Sequence, residues 1–475
     1  MQKSVHNNLS LTSGFKPKYN LYQITGLIAA IVSLIIMGIS FIDNWPLSQT
    51  SGLILCILLF SVAVCLYSYG SYYKKPAGIK NNFVFQNRLS AKGSVGWILA
   101  IILTLFYTVL YFKASWLGGA SIEGESNTGL IALFDPLSYL IRSKQADHWF
   151  MYGTLYTLAI LTMGTKFIIK YRHNKYQLLR TISVMFFQLG FAYLIPDILG
   201  ALNSELSYFS KDLKYIWPLN YDFFKEWHLK NLLAGGNLGM FFLIWGLLLI
   251  FVISPLLTYF YGKRWYCSWV CGCGGLAETA GDPFRQLSDK SLKAWKIERW
   301  MIHAVLVLVI IMTALVLYRF FSGNSHFLFI DTYLVSQWYG WLIGAVFSGV
   351  VGVGFYPIMG SRVWCRFGCP MAGILGLQQK FFSRFRITTN GSQCISCGNC
   401  STYCEMGIDV KWYAQRGQDI VRASCVGCGI CSAVCPRGVL RLENGPDIKM
   451  RAATQRALHI DHKGIKLIGN ELDQP

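Results

Sequence analysis

Eight separate windows of about 20 apolar residues interrupt this chain, and no other feature restricts its folding so severely. A run of that length crosses the hydrocarbon of a bilayer as a helix, because backbone N–H and C=O groups must be paired internally where there is no water. The windows lie near 22–42, 52–71, 95–112, 150–169, 181–200, 239–261, 300–321 and 339–359. Composition agrees, with 53% of residues hydrophobic and only 14% charged. That balance lies outside the range of soluble domains. The expected fold is an all-α polytopic domain of about eight spans.

A formal net charge of +20 invites a nucleic-acid reading, but in a polytopic chain excess Lys and Arg gathers in cytoplasmic connections. The connections alternate accordingly. Segment 72–94 holds Lys74, Lys75, Lys80, Arg88 and Lys92, segment 170–180 holds Lys170, Arg172, Lys175 and Arg180, and 262–299 holds seven Lys or Arg. Segments 43–51 and 322–338 hold none, while 113–149 and 201–238 mix both signs. Both termini are therefore expected in the cytoplasm of a cell bounded by an inner (cytoplasmic) membrane, with membrane lipid rather than nucleic acid as the basic partner. No cleavable signal peptide is expected, since polar residues precede the first window and no small-residue cleavage site follows it.

After Gly360 the texture changes to small, charged and cysteine residues, as in a soluble cytoplasmic segment. Of fifteen cysteines, thirteen fall in four groups after residue 266, spaced like metal ligands rather than a secreted disulfide framework. "CISCGNCSTYC" places Cys394, Cys397, Cys400 and Cys404 at x2-x2-x3 spacing, and "CVGCGICSAVCP" repeats it at Cys425, Cys428, Cys431 and Cys435 before Pro436. Three thiolates at x2 spacing wrap one corner of a cubane while the fourth crosses to the other cluster. Cys394, Cys397, Cys400 and Cys435 are therefore assigned to one [4Fe-4S] cluster, and Cys425, Cys428, Cys431 and Cys404 to a second. Structural zinc also uses four cysteines, but two consecutive runs with Gly398, Gly427 and Gly429 between ligands favour a bacterial-type ferredoxin of small α+β fold. Glu405 stands where Pro more often follows the fourth cysteine, a departure that alters local hydrogen bonding and potential without removing a ligand.

An internal repeat precedes this segment. "GKRWYCSWVCGCGG" from Gly262 aligns with "GSRVWCRFGCPMAG" from Gly360, matching Arg264 with Arg362, Cys267 with Cys365, Cys271 with Cys369 and Gly275 with Gly373 at a constant offset of 98. Each copy follows a span at its expected cytoplasmic end, so pairing the copies brings Cys267, Cys271, Cys365 and Cys369 onto one level at the membrane surface. Packing alone accounts poorly for a matched repeat. A dithiol or copper site, since thiolates select soft metals, and a further Fe-S centre both remain open. Cys273, matched by Met371, is a bystander or a local substitute ligand. Cys56 and Cys65, inside the second window, are read as packing residues.

Paired Cys-x3-Cys-Pro motifs behind membrane spans, then a double ferredoxin segment, resemble the membrane polyferredoxin family that includes NapH, NosR and CcoG, over roughly residues 181–445. The resemblance implies an inner-membrane electron-transfer protein with its ferredoxin domain in the cytoplasm, linked to quinol oxidation, periplasmic reductases or copper handling. This chain departs from it where Gly272 replaces the motif's Pro, which questions the turn there, and in its four extra spans before residue 181. The expected organisation is 1–180, an N-terminal membrane region; 181–380, a membrane core with both Cys-x3-Cys loops; 381–446, the ferredoxin domain; and 447–475, a polar tail.

His303 offers a haem ligand without an evident opposed partner. Asp135 and Asp331 are expected to cap short helices, with a quinone or proton role as the alternative. Arg264 and Arg362 adjoin the cysteine loops, where a cation lowers a thiol pKa or raises a cluster potential, or simply anchors the membrane edge. The function these pieces support is electron transfer between a membrane donor or acceptor, a quinone pool or respiratory partner, and the cytoplasmic clusters, with a cytoplasmic reductant as the other partner. The alternatives are a copper-reducing assembly factor using the Cys-x3-Cys pair, and a redox-sensing regulator. No catalytic residue is assigned.

Overall fold

A computed structural model describes residues 19–41, 48–73, 93–120, 125–202, 223–390, 393–444, 458–461 and 464–467. The basic stretch 74–92 and the stretch 203–222, both part of the charge pattern, lie outside the described residues. In chain order the main helices are α1 (Leu21–Ile39), α2 (Gln49–Tyr72), α3 (Ser94–Phe112), α4 (His148–Tyr171), α5 (Lys175–Leu199), α6 (Gly236–Tyr261), α7 (Gly272–Thr279), α8 (Leu292–Ser322), α9 (Thr332–Gly354) and α10 (Pro370–Phe382). Among the described residues seven helices are long and apolar enough to span a membrane, namely α1, α2, α3, α5, α6, α8 and α9. The chain is a multi-pass membrane protein. Ile98, Ile101 and Ile102 on α3 and Val307, Ile310 and Ile311 on α8 are exposed, a surface that lipid covers and water would not tolerate.

The fourth window, 150–169, is helical as α4 but is not among those seven. Its 24 residues are long enough, yet Thr154, Thr157, Thr162 and Lys166 are buried along it. Protein rather than lipid walls much of α4, so its sequence can afford polar groups. Other helix starts also differ from the sequence reading for capping reasons, among them those of α8 and α9. α8 starts at Leu292, because the Ser291 hydroxyl accepts from the Ala294 amide, and α9 starts at Thr332, because the Asp331 carboxylate accepts from the amides of Tyr333 and Leu334.

Proline shapes α5 and α6. Each contains a π-helical segment, Phe187–Leu194 and Leu249–Ile253, running up to Pro196 and Pro255. The wider turn accommodates a ring that would clash with the carbonyl one turn earlier. α6 ends at Gly262 (φ 65, ψ 179), and the segment Tyr356–Met359 ends at Gly360 (φ 94, ψ 171). Both values lie in a region open essentially to glycine alone. The repeat in the sequence is thus a repeat in backbone, with the chain leaving each hairpin by the same turn.

The segment after α10 is a small α+β unit. Strands β1 (Phe385–Thr389) and β2 (Leu440–Asn444) pair antiparallel from Phe385↔Asn444 to Thr389↔Leu440, enclosing short helices Asn399–Thr402, Val410–Gln415 and Ile430–Ala433. Its core residues Phe385, Ile387, Tyr403, Ile420 and Val426 form one cluster with Phe167 and Tyr171 of α4 and with Cys267 and Cys365. No solvent layer separates it from the membrane core there. In the tail, read as merely polar, Leu458–Asp461 pairs with Gly464–Leu467 as a two-stranded hairpin.

Candidate iron-sulfur centres

The two cysteine runs share a backbone at an offset of 31 residues. Ser396 (φ 57) matches Gly427 (φ 63), Gly398 (φ 79) matches Gly429 (φ 72), and Gly407 (φ 67) matches Gly438 (φ 64). These left-handed residues fold each run around its own space. One cavity, of about 350 Å³ including open solvent, is lined by Cys394, Cys397, Cys400 and Cys435. The other, of about 380 Å³ on the same measure, is lined by Cys404, Cys425, Cys428 and Cys431. Each fourth cysteine crosses to the opposite run, the grouping expected from spacing.

The donor chemistry fits a cluster. The Val439 amide donates to Cys435 Sγ and the Ile408 amide to Cys404 Sγ, both at 3.4 Å, the kind of bond that tunes an iron-sulfur potential. Burial pushes the thiols up, Cys400 and Cys428 to about 12 and Cys425 to about 11. Without metal such thiols keep their protons, so loading releases them. Among the described residues no three Cys, His, Asp or Glu side chains converge on a single ion, whereas each four-thiol set surrounds a larger space. The cavities differ in setting. Cys397 is exposed, which leaves the first at the surface. The second is clamped by the membrane core, where Tyr176 Oη donates to Gly427 O, Gln177 Nε2 to Cys428 O, Ser268 Oγ to Val426 O and Gln379 Nε2 to Cys425 O, each at 2.8 Å.

The Cys-x3-Cys loops match in detail. Cys267 and Cys365 lie in short helical turns, Arg264–Cys267 and Val363–Phe367. The Cys271 amide donates to Tyr266 O and the Cys369 amide to Trp364 O, the same bond 98 residues apart. Cys271 and Cys369 then occupy the N-cap positions of α7 and α10. Gly272 starts its helix as Pro370 does, so the missing proline leaves the turn intact. The four thiols are electrostatic neighbours. The Cys273 thiol bonds to Cys271 and is the foremost reason that Cys271 falls to about 6, helped by the Gly274 amide and Arg362 against burial. Cys267 rises to about 12 through burial. Cys273 is exposed although Tyr107, Tyr111, Tyr152, Tyr156 and Tyr356 surround it electrostatically.

Between these loops and the clamped cavity runs a chain of buried ion pairs. Arg180 and Arg362 both pair with Glu278. Arg362 also meets Glu405 at 3.1 Å, Arg285 meets Glu405 at 2.8 Å and Asp282 at 3.3 Å, and Lys170 meets Asp282 at 2.6 Å. Burial would raise Asp282, but Lys170 and Arg285 hold it at about 2; Glu405 is likewise kept low against burial by Arg285 and Arg362. Lys263 is fully buried as well, its Nζ 3.5 Å from Ala372 O and within electrostatic reach of Cys267 and Cys425. The sequence reading missed Glu278, Asp282, Arg285, Arg180 and Lys263. Its one available signal was the rarity of acids so close to a cysteine loop.

The other candidates resolve by contact. Arg362 Nη1 reaches Cys267 O at 3.3 Å and Cys365 Sγ at 3.6 Å, whereas Arg264 stacks on the Phe385 ring at 4.5 Å. Asp135 is not a cap; its buried Oδ1 accepts from Ala146 N and Asn127 Nδ2. His303 lies exposed, its Nδ1 against Arg299 O. Cys56 is buried beside Ser33, joining α1 to α2, and Cys65 is exposed.

Comparison with known proteins adds a decisive alignment. Residues 243–291 and 338–388 match a family model described as a 4Fe-4S binding domain, and residues 393–440 match a 4Fe-4S dicluster domain. Both Cys-x3-Cys loops and both ferredoxin runs fall inside the matched ranges. This is an iron-sulfur membrane protein. It is similar to the electron transport protein YccM of Escherichia coli (strain K12), at 25% identity over 171 residues, 34% of this chain and 46% of that relative. The chain thus aligns with about half of that relative's length. No solved structure matches.

Proposed function

We propose that this protein transfers electrons between a membrane donor or acceptor, a quinone pool or a respiratory partner, and a soluble cytoplasmic carrier, using three iron-sulfur centres in series. Cys394, Cys397, Cys400 and Cys435 hold the outer [4Fe-4S] cluster, Cys404, Cys425, Cys428 and Cys431 the inner one, and Cys267, Cys271, Cys365 and Cys369 a third centre at the membrane edge. When bound, each cluster supplies a one-electron redox couple. The chain's own residues order these thiol sets from solvent to membrane and bury Cys425 and Cys431 of the inner set and Cys267 and Cys365 of the membrane-edge set. The observation that carries the reading is the shared core, in which Cys267, Cys365, Cys400, Cys425 and Cys431 are buried in one cluster. Matches of both loops to a 4Fe-4S binding domain favour iron over copper at the membrane edge. We place the protein near the NapH, NosR and CcoG group, in the inner membrane with eight spans and both termini in the cytoplasm.

Iron analysis tests this. Protein purified anaerobically is expected to hold more than about eight irons per chain, the complement of two cubanes. Cys267→Ser and Cys365→Ser should each bring it down toward that value while the ferredoxin clusters survive. Wild-type iron near eight, together with a Cu(I) titration that needs both loops, would instead support the copper-reducing reading.

A further inference from the structure

Glu405 follows Cys404, a residue lining the inner cavity, at a position where the ferredoxin pattern more often has a neutral proline. Its carboxylate is buried with 1% of its side chain exposed, between two guanidiniums with none exposed. Those guanidiniums reach both sets of thiols. Arg285, with Arg180, lies in the electrostatic surroundings of Cys428 on the inner cavity, while Arg362 touches Cys365 Sγ and Cys267 O in the Cys-x3-Cys loops and is itself within electrostatic reach of Cys428. Ser288 Oγ donates to Glu405 O at 2.6 Å, fixing the backbone from the membrane side. Removing three charges from water is expensive, and such a bridge is a weak device for stability alone. A fixed charge beside a cluster, by contrast, acts on its potential directly.

We propose that Glu405 is a positioning residue for charge, setting the potentials of the inner ferredoxin centre and the Cys-x3-Cys centre together. By neutralising part of Arg285 and Arg362 it withholds positive charge from both sets of thiolates, keeping both centres harder to reduce than a neutral residue there would. Lys263, buried and within electrostatic reach of Cys267 and Cys425, adds a cation common to both, so the two centres share one buried charge field. The outer centre, with exposed Cys397, lies beyond it. This rests on the three-centre reading.

The test is redox titration of the full-length iron-loaded protein in detergent, read by electron paramagnetic resonance, with iron content measured alongside. Glu405→Gln is expected to raise both inner potentials by about tenfold in the reduction equilibrium, ~59 mV for a one-electron couple, and to leave the outer centre unmoved. Glu405→Asp should return both close to wild type. Arg362→Gln should lower the Cys-x3-Cys centre instead. Unmoved potentials with iron intact, or iron loss with the surviving inner centre at its wild-type potential, would overturn the proposal. A wild-type content near eight irons would remove the third centre and with it the three-centre reading. Glu405 would then be judged on the inner ferredoxin centre alone, where a constant potential sinks it.

Discussion

At the scale of single residues, Cys271 and Cys267 form a sharp contrast. They are four positions apart, yet a thiol hydrogen bond from Cys273 holds one at about 6 and burial drives the other to about 12. In iron-free, reduced protein, Cys271 is therefore a thiolate at neutral pH and Cys267 a thiol. A small alkylating reagent at pH 7 should modify Cys271 first, with its rate falling as pH drops through about 6 and thiolate is lost. Cys267 should resist until strongly alkaline conditions. Cys273→Ala should move the Cys271 profile upward toward the ordinary thiol range. Mass spectrometry of the labelled peptides over a pH series checks all three, and equal labelling of both thiols at pH 7 would contradict the geometry. The hydrogen bond from Cys273 to Cys271 is what spacing could not assign, since nothing in "CGCGG" says which thiol donates.

At the scale of elements, the matched loops after Gly262 and Gly360 were legible because they repeat in sequence, and the crossing of Cys404 and Cys435 because ligand spacing implies it. Repetition converts an ambiguous local pattern into two independent readings of one backbone. What was not legible is what holds the elements against one another. Gln379 on α10 receives the Lys263 amide at Oε1 and donates through Nε2 to Arg422 O and Cys425 O, each at 2.8 Å. It ties both halves of the repeat to the inner cavity. A lone Gln in "LQQKFF" carries no sign of that, because its partners lie 116 and 46 positions away. Gln379→Leu would leave buried amide and carbonyl groups unpaired, at about 1–3 kcal/mol for each. The expected result is faster proteolysis within 384–440 and a lower thermal midpoint, with Gln378→Leu as the control. Equal behaviour of the two variants would remove Gln379 from this role.

At the scale of the whole molecule, the apolar windows located the helices, but caps such as Ser291 and Asp331 set where they begin, and α4 shows the limit of hydropathy as a guide. A helix inside a bundle is free to be polar, so its sequence no longer resembles that of its lipid-facing neighbours. The side on which each connection lies still rests on charge asymmetry. Reporter fusions after Arg172 and Gln474 are expected to read cytoplasmic, and fusions near Trp45 and Ser325 periplasmic. A periplasmic reading after Gln474 would place the cysteine runs on the oxidising side and reverse the orientation.

The ion pairs at Glu405 also impose an order on synthesis. Arg285 and Arg362 leave the ribosome well before the carboxylate they share, and Glu405 itself arrives ahead of Cys425, Cys428 and Cys431 on the same cavity. Until that later segment emerges, among the described residues Arg362 has only Glu278 and Arg285 only Asp282 as an acidic partner, and the loops bearing Cys267 and Cys365 lack the ferredoxin side of their shared core. The buried charge network and the shared core around the membrane-edge thiols are therefore complete only once the segment from Glu405 to Cys431 has been made.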